Sequence, residues 1–223
     1  MSMEEGINVR IRNVKNKEEI LNNCDKVVKN PKDYIGKWNS LFKNNNPIYI
    51  EIGMGKGKFI IENAKKYPNI NFIGIEKFDS ILARATQKLE DDLDNLLFIR
   101  INALEIDEIF SKEISRIYLN FSDPWPKVRH NSRRLTSKIF LDKYDSIFKN
   151  NKEIYMRTDN KDLFSYSLVS LSQKGYLLED VNLDLHNNLE KELITTEYED
   201  KFVGKNIPIL SLIATSNDVQ NSK

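Results

Sequence analysis

Residues 118–127, Tyr-Leu-Asn-Phe-Ser-Asp-Pro-Trp-Pro-Lys, bring together side chains that could do chemistry. They overlap an apolar segment, residues 114–121, which is typical of a strand buried on both faces. Each proline fixes its own φ and disfavours helical geometry in the residue before it, so we predict a stiff loop with Asp123 and Trp125 extended. Loops at the carboxyl ends of strands line the ligand crevice of an open α/β sheet. A carboxylate, an indole ring and the Lys127 cation in such a loop predict a site.

A purely structural role is an alternative for the same residues. Asp123 would then be an ordinary turn residue. Trp125 would pack in the core under the sheet instead of stacking on a base. The sequence leaves both interpretations open.

Strand-like and helix-like segments alternate along most of the chain. Strands are predicted at residues 48–52, 70–75, 96–101, 114–121, 154–156, 176–183 and 207–215. Helices are predicted at residues 15–28, 33–42, 59–67, 80–93, 104–110, 137–148 and 163–171, with Thr136 as the cap of the sixth. This alternation predicts a mostly parallel sheet between two layers of helices, a three-layer α/β sandwich.

The length of the chain and the distribution of its charges limit the functions that it can have. The 223 residues suit one main domain, which we predict at residues 34–215. An N-terminal tail and helix would occupy residues 1–33, and we expect residues 1–12 of it to be mobile. Residues 216–223 would form a polar tail. The formal net charge is 34 − 33 = +1, but the charges are unevenly distributed. Residues 127–138 hold five Lys or Arg and no acid, whereas residues 179–201 hold eight acids and two lysines. The chain therefore has a strongly dipolar surface, although runs of charge are often only solvated faces.

Cysteine content and hydropathy indicate a compartment. Cys24 is the only cysteine, which excludes an intrachain disulfide and a cysteine-rich zinc site and fits a reducing environment. No apolar run approaches membrane-spanning length, and no apolar segment follows the N-terminus. We expect a cytoplasmic protein without a bound metal, either a monomer or a homodimer.

The glycine-rich loop Gly53-Met54-Gly55-Lys56-Gly57 follows the first regular strand. Such a loop is a weak signal by itself, because glycine also serves tight turns and close helix packing. Its context is more informative, since Glu76 ends the next strand 21 residues after Gly55, where a carboxylate can accept hydrogen bonds from both ribose hydroxyls. Asn102 ends the third strand, where an amide could contact an adenine edge. A nucleoside cofactor is therefore predicted.

Two kinds of nucleoside cofactor compete for this arrangement. A dinucleotide needs a Gly-x-Gly-x-x-Gly spacing for its pyrophosphate, whereas the spacing here is Gly-x-Gly-x-Gly. The charge of Glu51, two residues before Gly53, would oppose a pyrophosphate but suits the ammonium and sulfonium of S-adenosylmethionine. The positive charge of Lys56 would instead favour a pyrophosphate, unless this side chain faces solvent or binds the carboxylate of the methionine moiety. A P-loop is excluded, because no Gly-Lys-Ser/Thr follows the glycines at the required distance.

The motifs of the chain occur in a fixed order. They are Ile50-Glu51-Ile52-Gly53-Met54-Gly55-Lys56-Gly57, Gly74-Ile75-Glu76, Asn120 to Lys127, Arg129-His130, Arg133-Arg134-Leu135, Arg157-Thr158-Asp159, Thr196-Glu197-Tyr198-Glu199 and Lys201-Phe202. Taken together, these motifs resemble the bacterial tRNA (guanine-N7)-methyltransferase family. The resemblance covers roughly residues 34–215, and its Asp-Pro-Trp-Pro-Lys element is highly specific whereas the glycine loop is not.

The resemblance implies a class I, Rossmann-like methyltransferase fold with a seven-stranded sheet whose last strand is antiparallel. It implies guanosine 46 of the tRNA variable loop as the target. S-adenosylmethionine would contact Glu51, Gly53, Gly55, Glu76, Asn102 and Asp123. The guanosine would contact Lys127, Asp159, Thr196, Glu197, Tyr198 and Glu199, and the RNA would contact Arg129, His130, Asn131, Ser132, Arg133 and Arg134.

The chain departs from the family pattern in two places. Asn102 stands where many relatives have Asp, so its role depends on an amide acting as the acceptor. Asn131-Ser132 interrupts a segment that is often more basic in relatives, which bears on RNA affinity and not on the chemistry.

The expected reaction needs no general base, because guanine N7 has an in-plane lone pair and no proton. Correct alignment of the nucleophile, methyl carbon and sulfur can remove about 7–11 kcal/mol of barrier. We expect Asp123 to stabilise the positive charge that moves onto the base without abstracting a proton. The base would be turned out of the folded tRNA.

Acidic side chains could select guanine over adenine. Asp159, Glu197 or Glu199 could accept hydrogen bonds from N1–H and the 2-amino group, a donor pair that adenine lacks. Alternatively, Asp159 caps the helix that starts near Lys161, and the two glutamates lie in a solvated acidic loop.

Three other functions remain possible at this stage. The first is a methyltransferase acting on an exocyclic amine, since an acid-proline strand end also occurs in such enzymes. The second is an NAD-dependent dehydrogenase, which the glycine spacing and Glu51 disfavour. The third is a non-catalytic RNA-binding module with the same fold.

Overall fold

The computed structural model of the chain describes residues 13–90, 92–187, 193–201 and 207–216. The tail predicted at residues 1–12 lies outside this part of the chain. So do residues 217–223 of the C-terminal tail and Phe202 of the Lys201-Phe202 motif.

One sheet of eight strands forms the centre of the described fold. The strand order is β1-β4-β3-β2-β5-β6-β8-β7, and all neighbouring pairs are parallel except those that β8 makes with β6 and β7. The predicted mostly parallel sheet with an antiparallel last strand is confirmed. The strands are β1 (Val27–Val28), β2 (Ile48–Ile52), β3 (Asn71–Glu76), β4 (Leu96–Arg100), β5 (Ile114–Asn120), β6 (Lys152–Thr158), β7 (Leu177–Asn182) and β8 (Leu210–Ser216).

Helices alternate with these strands. The α-helices are α1 (Lys17–Asn23), α2 (Asn39–Phe42), α3 (Lys58–Lys66), α4 (Asp79–Thr86), α5 (Lys138–Ile147), α6 (Lys161–Gln173) and α7 (Glu197–Asp200). The described residues also form three 3-10 helices, at Pro31–Tyr34, Ala103–Glu108 and Val128–Arg133. Among the described helices, none combines the length and the apolar composition required to cross a bilayer.

Apolar side chains cover both faces of the sheet, as a three-layer sandwich requires. Residues of α5 and α6, such as Phe140 and Leu163, pack with Ile117 and Leu119 of β5 in one cluster. Residues of α3 and α4 pack with Tyr118, also of β5, in a second cluster. Because side chains alternate along a strand, the two clusters lie on opposite faces. This burial on both sides explains why Ile117, Tyr118 and Leu119 are consecutive residues with large hydrophobic or aromatic side chains.

The predicted first helix is too long. It ends at Asn23, Cys24 is extended, and Val27 and Val28 join the sheet beside Phe98 and Ile99 of β4. Valine is β-branched and favours strands, so tertiary pairing overrides the helical spacing of the apolar residues. These two residues raise the number of strands from the expected seven to eight.

Several helix boundaries also differ from the prediction. The helix predicted at residues 33–42 is a 3-10 turn followed by the short α2, and α4 ends at Thr86. The residue before α5 is Ser137 and not Thr136, and neither side chain caps the helix. The Thr136 hydroxyl instead lies 2.7 Å from Ser167 Oγ on α6.

The order of the strands determines where a ligand can bind. The chain runs outward from β2 through β3 and β4 on one side, and from β5 to β6 on the other. Connections leave the adjacent strands β2 and β5 in opposite directions, which opens a crevice at their carboxyl ends.

Candidate active site

A cavity of about 650 Å³ lies at this crevice. It collects six of the predicted site residues, which come from five separate places in the sequence, together with the indole of Trp125 and apolar walls such as Ile52, Ile75 and Leu104. A second depression of about 880 Å³ lies beside β1, and its lining includes none of the predicted residues. The six residues in the first cavity are Gly53, Glu76, Asn102, Asp123, Ser132 and Arg133.

The glycine loop turns tightly at the end of β2. The N–H groups of Gly53 and Met54 donate to Ile75 O at 2.9 and 3.1 Å, which fastens the loop to β3. Gly53 and Gly55 have φ of +77° and +59°, and a Cβ at either position would meet open space. Gly57 differs, because its Cβ would lie 3.1 Å from Ala85 on α4. The first two glycines therefore leave room for a ligand, whereas the third permits helix packing.

Glu51 is a buried acid, only 2% exposed, next to the glycine loop. Its Oε1 accepts a hydrogen bond from Asn120 Nδ2 at 2.9 Å, and its Oε2 is buried without a partner among the described residues. Burial raises the pKa of Glu51 to about 8, against the opposing effect of the Asn120 hydrogen bond. A nearby cation would relieve this burial cost, because opposite charge favours the ionised form.

Glu76 is held in place by main-chain donors at the end of β3. One carboxylate oxygen accepts from the N–H groups of Lys77 and Phe78 at 2.8 and 3.0 Å. Burial raises the pKa of Glu76, and hydrogen bonds from Phe78, Lys77 and Gly55 act in the opposite direction. The carboxylate thus has a fixed orientation at the cavity wall.

Asn102 occupies an exposed position at the start of a 3-10 helix. Its Oδ1 accepts from Leu104 N at 3.1 Å, so the side-chain oxygen already serves as a helix cap. The amide nitrogen remains available for a donor contact with a ligand, while the oxygen has one further lone pair.

The Asp-Pro-Trp-Pro loop differs from the prediction in its backbone. Trp125 has a φ of +43°, in the left-handed region, so the prediction of extended geometry at this residue is wrong. Arg134 explains the conformation, because its Nε and Nη2 donate to Pro124 O and Trp125 O at 2.9 and 3.3 Å. Asp123 is exposed and faces the cavity. A strained backbone held by its surroundings is common at functional sites.

The indole of Trp125 is half-buried at the cavity rim and does not belong to the described core clusters. The Arg133 guanidinium lies over its ring at 4.9 Å, and His130 makes an edge contact at 5.8 Å. Both residues come from the 3-10 helix Val128–Arg133. The ring thus connects the cavity to the basic segment.

The six predicted RNA contacts differ in how far they are exposed. Arg129, Ser132 and Arg133 are exposed, as is Lys127 before the helix, whereas His130 and Asn131 are half-buried. Arg134 is buried, and its guanidinium stacks on Tyr166 in addition to binding the Trp125 loop. Its position favours a role in holding the loop.

Asp159 and Tyr198 form a pair on the other side of the crevice. The Tyr198 hydroxyl donates to Asp159 Oδ2 at 3.2 Å, and burial together with Asp159 raises the pKa of Tyr198 to about 12. The Tyr198 ring packs on Phe121 at 4.8 Å, and Phe121 also lines the cavity. The alternative that Asp159 caps the next helix is wrong, because Asn160 Oδ1 accepts from Leu163 N.

Thr196 and Glu199 are engaged with each other in a capping box. The Thr196 hydroxyl accepts from Glu199 N at 3.1 Å, and Glu199 Oε2 accepts from Thr196 N at 2.7 Å. Glu199 is fully buried, and Arg157 Nη1 donates to both of its oxygens at 3.3 Å. Glu197 contacts Lys88 Nζ. The alternative of a solvated acidic loop is therefore wrong for Glu199.

Sequence reasoning missed four residues that shape the site. Asn120 could have been identified as a site residue from the sequence, because it is a polar residue at the end of an apolar strand. Phe121 could not, since an aromatic after a strand usually joins the core. Lys58 and Lys88 could not either, because the carboxylates they contact lie 142 and 109 residues away in the sequence.

The sequence of the chain is similar to a known family and to known proteins. A methyltransferase family model matches residues 45–212. A protein of Lachnoclostridium phytofermentans is 49% identical over 209 residues, which cover 92% of this chain and 98% of the relative. One of Bacillus subtilis is 49% identical over 189 residues, 84% of this chain and 89% of the relative. Both are named tRNA (guanine-N(7)-)-methyltransferase. The chain belongs to this methyltransferase family.

Solved structures with much lower identity share the fold of the family. The crystal structure of the 16S rRNA methyltransferase KamB superposes with a TM-score of 0.62 at 12% identity, covering 82% of this chain and 93% of that one. An antibiotic-related methyltransferase gives a TM-score of 0.60 at 18% identity, covering 83% and 94%. The class I methyltransferase fold is therefore confirmed.

Proposed function

We propose that the protein transfers the methyl group of S-adenosylmethionine to N7 of a guanosine in tRNA, at position 46 of the variable loop. The observation that carries the proposal is the convergence of Glu76 and Asp123 on one cavity, beside the buried Glu51 and an exposed basic helix. Membership of the methyltransferase family supports the same reaction. An enzyme with this substrate would work in the cytoplasm.

The residues present fit S-adenosylmethionine. Glu51 has an Oε2 without a partner among the described residues, and its buried carboxyl group would ionise when a cationic group binds beside it. The fixed carboxylate of Glu76 offers acceptors to two ribose hydroxyls. Gly53 and Gly55 leave space for close approach, and Asn102 can donate from its amide nitrogen. When bound, this cofactor supplies an electrophilic methyl group on a sulfonium.

Asp123 is the group that we place at the reacting atoms. It follows the end of β5 and is exposed to the cavity, on a loop that is held by the hydrogen bond from Arg134 to Pro124 O. Its negative charge stabilises positive charge as it develops on the guanine ring, and it needs to accept no proton because N7 carries none. Catalysis then depends on orientation and electrostatics.

The guanosine would lie between the cavity and the Asp159–Tyr198 pair. Tyr198 donates to Oδ2 of Asp159, which leaves Oδ1 to accept from guanine N1–H or the 2-amino group. By resemblance to the family, Lys127 and the segment from Thr196 to Glu199 would contact the same guanosine. Since Glu199 is buried and paired with Arg157, its contribution is to fix the shape of this segment.

The tRNA backbone would be held by Lys127, Arg129 and Arg133, which are exposed on or next to the 3-10 helix. Phosphate contacts of this kind make binding strongly dependent on salt. Arg133 also lies over Trp125, so a nucleotide near the rim could extend the stack.

Incubation with methyl-labelled S-adenosylmethionine and an unmodified tRNA transcript tests the proposal. We expect one methyl group per tRNA, recovered as 7-methylguanosine, and none with a transcript in which G46 is replaced by A. Nucleoside analysis that finds the label on an exocyclic amine would instead identify the enzyme as an amine methyltransferase. Binding of tRNA without cofactor binding in calorimetry would identify a non-catalytic module.

A further inference from the structure

The acidic segment, residues 194–200, carries three carboxylates beside the expected RNA site. Each carboxylate has its own cation, and the three cations come from three different elements. Glu199 pairs with Arg157 of β6, Asp200 with Lys58 of α3, and Glu197 with Lys88, which follows α4.

Lys58 contacts the acidic segment at two residues. It is the first residue of α3, directly after the glycine loop. Its Nζ donates to Asp200 Oδ2 at 2.6 Å and to Thr195 Oγ1 at 2.8 Å, and the Thr195 hydroxyl donates in turn to Asp200 Oδ1 at 2.7 Å. The lysine thus fastens two points of the acidic segment to the helix that begins at the cofactor loop.

The position of the acidic segment determines the position of Tyr198. Glu197 and Glu199, its two neighbours, are held by Lys88 and Arg157 on opposite sides. Tyr198 is left to contact Asp159 and Phe121 at the cavity rim. A shift of the segment would therefore move the Asp159–Tyr198 pair relative to the cavity.

The same lysines also change the electrostatics of the rim. Three unpaired carboxylates next to an RNA site would repel phosphates, and at short range this repulsion is appreciable even in water. The one-to-one pairing removes the net charge of the segment. Arg157 is buried and bonded to Tyr155 and Ile194 as well, so it serves the fold directly, whereas the two lysines lie at the surface.

We propose that Lys58 and Lys88 are positioning residues for the guanosine side of the site: they hold the acidic segment against α3 and α4 and cancel its charge, so that tRNA can bind there. The proposal rests on the proposed function and adds two residues that touch neither the methyl donor nor the base. It predicts an effect on tRNA binding that is separate from cofactor binding and from the chemical step.

Steady-state kinetics of Lys58→Met and Lys88→Met tests the proposal. We expect each substitution to raise KM for tRNA by about three- to fivefold, the upper part of the range for surface ion pairs, and the double substitution to raise it by about tenfold or more. The kcat, the Kd for the cofactor and the melting temperature stay unchanged. Lys32→Met is the matched control, since Lys32 also makes a 2.6 Å ion pair, with Glu108, away from the site.

Charge exchange separates a specific pairing from general loss of positive charge. Lys58→Asp alone should raise KM for tRNA more than Lys58→Met, and adding Asp200→Lys should bring it back close to the wild-type value. Lys58→Arg should also stay close to wild type.

Three results would overturn the proposal. One is an unchanged KM for tRNA in both methionine variants. Another is a rise in KM for tRNA that the charge exchange does not reverse. A rise in KM accompanied by weaker cofactor binding and a lower melting temperature would likewise show a general structural role and overturn the proposal. Mapping of the methyl group on wild-type product tests the reaction itself, so failure of the proposed function is seen independently.

Discussion

The cofactor side and the guanosine side of the site are held in place by different interactions. Glu76 and the glycine loop are fixed by main-chain hydrogen bonds, such as those from Lys77, Phe78 and Gly53. The guanosine side is fixed by side-chain pairs between elements far apart in sequence, such as Lys58 with Asp200. The cofactor side that we propose therefore depends mainly on the backbone of the sheet, whereas the proposed guanosine side depends on side-chain pairs, of which those of Lys58 and Lys88 are partly exposed.

Replacement of Asp123 by Asn should have the largest effect on activity. The exposed carboxylate is the only part of the loop that we place at the reacting atoms, so kcat should fall by about 100-fold or more while the fold is kept. Single-turnover rates of the variant and the wild type, measured with saturating cofactor, check the effect.

The pH dependence of the same reaction sharpens this prediction. Wild-type single-turnover rates should be nearly flat from pH 6 to 9, because Asp123 stabilises charge and does not remove a proton. A log-linear rise of unit slope, with folding and binding unchanged, would show instead that a base participates.

Glu51→Gln should weaken cofactor binding by roughly 10- to 100-fold, since it removes a buried charge that faces a cationic ligand. Burial raises the pKa of Glu51 to about 8, so in the free protein the carboxyl is protonated at pH 6 and must lose its proton when a cation binds. Affinity of the wild type should therefore increase from pH 6 to 7.5, and that of the variant should not. Calorimetry with S-adenosylhomocysteine measures both. An equal pH dependence in the two proteins would contradict the assignment.

The same residue should affect stability with a defined sign. The folded pKa of about 8 lies above the ordinary value of 4.5, so the folded state holds the proton more tightly than the unfolded state. Stability should then decrease as pH rises from 4.5 towards 8 and level off above that value. Glu51→Gln should lack this component. Thermal melts of the two proteins at matched pH, compared as differences, test the sign.

Arg133 and Arg134 should respond differently although they are adjacent. Arg133→Glu should weaken tRNA binding by about tenfold, reduce its salt dependence and leave cofactor binding unchanged, because this side chain is exposed. Arg134→Ala should cost about 1–3 kcal/mol of stability and weaken both ligands, because it leaves the carbonyl groups of Pro124 and Trp125 without their donor. If the two variants showed the same changes in ligand affinity and melting temperature, the assignment of Arg133 to the RNA-binding surface and of Arg134 to the loop would be contradicted.

Asn102→Asp should have the smallest effect. Asp caps a helix as well as Asn does, so the bond to Leu104 N is kept and the cofactor Kd changes by no more than about threefold. Asn102→Ala loses the cap, at a cost of about 1 kcal/mol. Calorimetry and melting curves of the pair separate the helix cap from the contact with the ligand.

Much of the sheet that carries the proposed cofactor side could be predicted from the sequence. Seven of the eight strands were expected near their observed positions, because apolar runs ending in polar residues mark buried parallel strands. Their order was not predictable from periodicity, and neither was β1, where two valines join the sheet edge. The positive φ of Trp125 was not predictable either, because local proline preferences point to extended geometry and Arg134, nine residues on, overrides them.

The sequence by itself determined the class of the fold, the glycine loop and the acids that end β2 and β3, because these depend on periodicity and on local chemistry. Only the tertiary structure decided which charges are available to a ligand. It buries Arg134 and Glu199, leaves Arg133 exposed, and pairs Lys58 and Lys88 with distant carboxylates. The physical reason is that desolvation and ion pairing depend on which elements meet in space, and residues more than a hundred positions apart leave no common pattern along the chain.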